Sequence, residues 1–129
     1  MGPYATEVTV YLYPGTNTNP LGHVGVGVNG GDSRGYYAND SARRPGLALS
    51  ADTTGTFRYD AANNTPPIGS IVYQVTADQA AAVQDALNSP TPSRYNFYND
   101  NCATKAGDVL SQYGVPARRT PFPNIMVPR

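Results

Sequence analysis

Cys102 and His23 each occur once in a chain of 129 residues, and together they offer the most chemistry. A cysteine at a helix start and a histidine on an adjacent strand form a nucleophile and its base. The imidazole takes the thiol proton and later gives one to a leaving group. The residues around Cys102 supply the helix start. Asn101 is a good N-cap, because its side-chain oxygen can accept from a free backbone N–H of the first turn. The following pattern predicts a helix from Cys102 to about Tyr113, with Gly114 as the stop. Cys102 is then the first helical residue, where the positive end of the helix dipole favours the nucleophilic thiolate. Cys102, Ala106, Val109, Leu110 and Tyr113 share one helical face, so the thiol points inward. A lone inward cysteine often serves as a small hydrophobe. The place directly after an asparagine cap argues for reactivity instead. The Cys102 N–H is a candidate oxyanion donor, and Asn101, Asn99 or a tyrosine is a candidate for the second.

His23 opens a strictly alternating stretch, Gly22 to Val28. Val24, Val26 and Val28 share one face, and His23, Gly25 and Gly27 the other. Glycine weakens a strand, so its repetition on one face predicts close packing there. A helix laid on that face would bring its first side chain beside His23. A lone strand-end histidine is ordinarily just polar; the cleared face beside it argues for a role. Asn29 to Ser33 reads as a hairpin turn, and Arg34 to Asn39 as the return strand. With the turn centred on Gly31, Val28 faces Arg34, Val26 faces Tyr36 and His23 faces Asn39. Tyr37 and Asn39 then share the histidine's face, and either can hold the imidazole in one tautomer. A slip of one residue would substitute Tyr36 and Ala38.

The remaining elements frame these residues. Glu7 to Tyr13 alternates as a half-buried strand, and Gly69 to Val75 as another. Thr76-Ala77-Asp78-Gln79 is a capping box opening a helix to about Asn88, with Ala80, Val83 and Leu87 on its apolar side. Residues 40–67 are poorly patterned: 51–56 read as surface loop, Phe57-Arg58-Tyr59 as a short edge strand. Arg43 and Arg44 read as solvated cations or as a contact for an anionic substrate group. The proline-bearing tail after Gly114 is expected to run extended over the surface. The whole is expected to be one α+β domain, 1–129, with a small antiparallel sheet packed against the cysteine-bearing helix.

Composition excludes several classes. Nine basic and nine acidic residues leave no net charge, so nothing points to nucleic acid or an anionic membrane. One cysteine excludes an internal disulfide framework and a cysteine-cluster zinc site, and one histidine argues against a multi-histidine metal centre. No cofactor or metal is expected. No apolar run is long enough to span a bilayer, and no secretory signal is evident.

The order of these pieces resembles the circularly permuted branch of the papain-like, NlpC-type cysteine hydrolases, which includes the lecithin retinol acyltransferase-like and desumoylating isopeptidase-like proteins. The matching pieces are Gly22 to Val28, the Gly35-Tyr36-Tyr37 return strand, and Tyr95 through Leu110. The resemblance implies Cys102 as nucleophile and His23 as base. It also implies a third polar residue on the strand after the histidine, and with no second histidine Tyr37 or Asn39 must serve. Small domains of this kind look like toxin modules of bacterial secreted proteins, type VI effectors among them. That likeness implies peptidoglycan peptide as substrate, export to the periplasm of a target cell and a dedicated immunity protein. A lipid acyltransferase or esterase of the same fold is a second reading. A non-catalytic protein- or glycan-binding module with a tyrosine-rich surface is a third.

Overall fold

A computed structural model of the chain describes residues 6–15, 22–39, 53–60, 65–89, 91, 93–95 and 101–128. The expectations that rest on Arg43, Arg44, Asn99 and residues 96–100 lie outside them. Nine elements follow in order: β1 (Thr6–Tyr13), β2 (His23–Val28), β3 (Arg34–Ala38), β4 (Thr53–Tyr59), β5 (Gly69–Val75), α1 (Ala77–Asn88), β6 (Ser93–Tyr95), α2 (Cys102–Gln112) and α3 (Pro123–Met126). The strands form one antiparallel sheet in the order β5-β1-β2-β3-β4-β6. The class is α+β, as the alternating segments require.

Period-two alternation divides the sheet chemically. Val8, Val10, Leu12, Val24, Val26, Tyr36 and Ala38 cluster with Val83 and Leu87 of α1 and with Cys102, Ala103, Ala106 and Leu110 of α2. Both helices therefore lie on the valine face. This corrects the expectation that a helix covers the glycine face. Register places Tyr11 opposite Gly25 and Tyr13 opposite His23 on that other side.

The hairpin between β2 and β3 also differs from expectation. Its ladder pairs Gly25 with Gly35 and Val26 with Arg34, two residues away from the predicted register. The cause is local. Asn29 (φ 51°) and Gly30 (φ 76°) are both left-handed, and the Gly31 N–H donates to the Val28 carbonyl at 2.9 Å. That is a two-residue turn of the primed kind. Continued without interruption it would set His23 against Tyr36. One extra residue between Gly31 and Arg34 makes a bulge and shifts the ladder by one. Extended back along β2, the observed register sets Tyr37 across from His23.

Two further expectations are corrected. Residues 53–56 are strand rather than loop: β4 pairs with β3 along Gly55–Tyr59 and with β6 along Thr53–Gly55, so it is interior to the sheet. Tyr36 and Phe57, direct partners across β3 and β4, pack edge to face at 5.2 Å, a pairing that stabilises a ladder. The tail does not merely wrap the surface. Val115, Pro123, Met126 and Val127 are buried, and Pro123–Met126 forms one helical turn. The tail reaches the core because it crosses α2 at Gly107. A side chain there would approach the Arg119 Cα to 3.0 Å and the Arg118 carbonyl to 3.2 Å.

Candidate active site

The start of α2 is built as the sequence requires. The Asn101 side-chain oxygen accepts from the N–H groups of Ala103 (3.0 Å) and Thr104 (3.1 Å), and its carbonyl accepts from the Lys105 N–H. The cap thus engages the donors after Cys102 and leaves the Cys102 N–H to other partners. The Asn101 amide nitrogen donates to the Pro121 carbonyl at 2.8 Å, tying the helix start to the tail. The Asn101 side chain, expected as an oxyanion donor, is thus engaged in capping and in anchoring the tail. Cys102 is a buried free cysteine at 3% exposure.

His23 is buried at the first position of β2, and Cys102 is close enough to act on its imidazole. The residue on the other side of the ring is one the sequence reasoning missed. His23 Nε2 lies 2.7 Å from Asp60 Oδ1. An ionised carboxylate only accepts, so Nε2 carries the proton and Nδ1 is left for Cys102. Asp60 itself is 2% exposed and receives two more bonds: Tyr37 Oη donates to Oδ1 at 2.5 Å and Ser33 Oγ to Oδ2 at 2.7 Å. Because the Ser33 hydrogen is used on Asp60, the Tyr13 hydroxyl, 2.6 Å from Ser33 Oγ, is the donor in that pair. Burial first, and then the nearby Asp60 charge, raise the Tyr13 phenol above its ordinary range.

The glycines make this cluster possible. A side chain at Gly25 would fall 1.9 Å from Asp60 Oδ2, and one at Gly35 would fall 2.0 Å from His23 Nε2 and 2.6 Å from Asp60 Oδ1. Gly25 and Gly35 are direct cross-strand partners. The room they clear holds an imidazole and a carboxylate, not a helix. Repeated glycine beside the histidine was the signal in the sequence. Nothing in the sequence linked it to Asp60, which is brought in by the ladder: beyond the Arg34–Tyr59 pair, the Asp60 N–H donates to the Ser33 carbonyl at 3.0 Å.

Of the two residues expected to orient His23, Tyr37 is in place. Its ring stacks on the imidazole at 4.6 Å with an interplanar angle of 23°, although its hydroxyl reaches Asp60 rather than the ring nitrogen. Asn39 is not in place. Its amide donates to Thr54 Oγ1 at 3.0 Å, and its oxygen accepts from Thr56 Oγ1 and Arg58. The register shift carries it two residues beyond the position across from the histidine.

The electrostatics follow from these neighbours. Burial alone would push the His23 imidazole down. The charge of Cys102 as thiolate, the hydrogen bond to Asp60, the hydrogen bond to Cys102 and the Asp60 charge together outweigh burial and raise it to about 10. The ring is therefore protonated at neutral pH, held between two groups that favour its cation.

Among the described residues no three His, Cys, Asp or Glu side chains form a metal-binding cluster, and no helix is long and apolar enough to cross a membrane. No protein-family model, curated protein or solved structure matches this chain.

Proposed function

We propose that the chain is a cysteine hydrolase of amide bonds, with Cys102 as nucleophile, His23 as acid and base, and Asp60 as the group that orients His23. The observation that carries this reading is the arrangement around the single imidazole: the Asp60 carboxylate on Nε2, and Cys102, at the N-terminus of α2, acting on the same ring. His23 already holds the proton, and Cys102 enters the reaction as the thiolate. The thiolate sulfur attacks the carbonyl carbon, and the C=O electron pair moves to oxygen beside the Cys102 N–H. Collapse of this adduct breaks the C–N bond, and the amine leaves with the proton from His23. Water then attacks the thioester while giving a proton to His23. The second collapse breaks the C–S bond, releases a carboxylic acid and returns Cys102 and His23 to their starting protonation. The order of histidine strand and cysteine helix supports the permuted papain-like class, and with it peptidoglycan peptide as the leading substrate.

The test combines hydrolysis with labelling. Purified peptidoglycan incubated with the protein should yield new amine and carboxyl termini by mass analysis. His23→Ala should lower that rate by about a hundred- to ten-thousandfold, the usual contribution of a general acid–base. Cys102 should react with iodoacetamide faster than an ordinary buried thiol, and His23→Ala should slow it. Slow labelling that is indifferent to His23 would overturn the enzyme reading in favour of a binding module. Cleavage of phospholipid vesicles with peptidoglycan untouched would move the substrate to lipid esters.

A further inference from the structure

Tyr37 grips the imidazole and its anchor at the same time. Its ring lies against the His23 ring, and its hydroxyl bonds the same Asp60 oxygen that accepts from His23 Nε2. Ser33 holds the other carboxylate oxygen and is itself held by Tyr13. With both oxygens taken, the carboxylate is fixed against rotation, and the direction of its bond to Nε2 is fixed with it. Asp60 is nearly inaccessible, so no water competes freely for those oxygens. The clamp depends on the bulge before Arg34, which sets Tyr37, not Tyr36, across from His23. A residue gained or lost there would turn the tyrosine hydroxyl to the opposite side of the sheet.

Resting on the Cys–His reading above, we propose that Tyr37 is a positioning residue that aims His23 Nδ1 at Cys102, with Ser33 as its counterpart on the second Asp60 oxygen. Tyr37 acts through two other side chains and needs no contact with substrate. Its two functions separate chemically. The ring restrains the imidazole plane; the hydroxyl restrains the carboxylate. Removing the hydroxyl takes one competing donor off Asp60. That leaves Asp60 at least as good a partner for the imidazolium, so the His23 proton is kept while its aim is lost.

His23 is the sole histidine, so its ring signals in a proton–carbon NMR spectrum are unambiguous and report on it whether or not the protein is an enzyme. The experiment follows those signals against pH and the rate of Cys102 alkylation by iodoacetamide in Tyr37→Phe, Tyr37→Leu, Ser33→Ala and Asp60→Asn. Tyr37→Phe and Ser33→Ala should each slow alkylation about three- to tenfold, the scale of one lost hydrogen bond. The ring signals should shift with no drop in the His23 titration midpoint. Tyr37→Leu, which also loses the stack, should slow it further. Asp60→Asn should lower the midpoint itself. Ring signals and alkylation rate unchanged in Tyr37→Phe would overturn the proposal, as would a midpoint that falls as far as in Asp60→Asn. Failure of the hydrolase reading looks different: alkylation would then be indifferent to His23→Ala, while the Tyr37→Phe ring shifts would still report whether the clamp exists.

Discussion

The two faces of the central strands obey the same alternation and do opposite work. On one side Val8, Val10, Val24 and Val26 are buried with Leu110 and Leu87, and the interactions are non-directional. On the other side His23, Tyr37 and Ser33 meet Asp60 in the space cleared by Gly25 and Gly35, and the contacts to the carboxylate are directional hydrogen bonds. A face held by dispersion and burial tolerates small shape changes at a cost in stability. A face held by hydrogen bonds around a buried carboxylate loses its geometry at once. The strands thus separate the apolar core, to which Cys102 belongs, from the polar network that holds the imidazole.

The largest expected effect breaks that separation on the polar side. Gly35→Ala places a methyl group 2.0 Å from His23 Nε2 and 2.6 Å from Asp60 Oδ1, so the imidazole and the carboxylate must both shift to admit it. The Cys102 alkylation rate should fall to the level of His23→Ala, with the circular dichroism of the sheet retained. Leu110→Ala is the counterpart on the apolar side. It should cost about 2–5 kcal/mol in denaturant unfolding, while the folded fraction keeps its alkylation rate. If both variants lost stability alike and neither lost reactivity, the division between the faces would be wrong.

A smaller effect tests the charge on the polar side. The His23 pKa is raised from 6.5 to about 10 in the folded chain, so between those values the folded state holds a proton that the unfolded state has released. Its contribution to stability is full below pH 6.5 and is lost as pH rises through about 10. The midpoint of thermal unfolding should therefore fall across pH 6.5–10. Asp60→Asn, which removes one of the charges favouring the imidazolium, should flatten that fall. A stability profile that is level over this window in the unmodified protein would refute the raised imidazole.

Much of the frame was legible because it is written in local chemistry. Thr76 and Gln79 form their reciprocal cap, with the Gln79 N–H donating to Thr76 Oγ1 at 3.1 Å and the Thr76 N–H to Gln79 Oε1 at 2.9 Å. Gly114 turns left-handed at φ 81° after α2. Cys102 begins α2 after an asparagine cap. Asp60 was not legible, because its meeting with His23 depends on two ladders and a bulge, and no spacing in the sequence encodes the sum of those registers. Asn39 was expected where Tyr37 stands because a turn centred on Gly31 would put it there, whereas the turn sits at Asn29–Gly30 and the bulge recovers only part of that difference. Residues 53–56 hid their strand because Thr53-Thr54-Gly55-Thr56 carries no apolar alternation; pairing on both sides, not a buried face, holds them.

The smallest effect concerns Asn101, where the faces meet at the helix start. The side chain performs two separable tasks: its oxygen caps α2 and its nitrogen holds the Pro121 carbonyl. Asn101→Asp keeps the acceptor and replaces the donor with a second acceptor facing a carbonyl. Asn101→Ala removes both. Loss of the cap costs about 0.5–2 kcal/mol in comparable helices, so Asn101→Ala should unfold at lower denaturant by that amount. Asn101→Asp should recover the helix part of the loss, helped by a negative charge at the N-terminus, but not the tail part. If the side chain also supplied an oxyanion donor, both variants would lose hydrolysis by far more than they lose stability, since one such donor typically contributes about a hundred- to a thousandfold. On the proposed hydrolase reading, with one amide N–H engaged by Pro121, hydrolysis by the folded fraction should instead change less than tenfold in Asn101→Ala, and the Cys102 N–H would be the donor that the helix start provides.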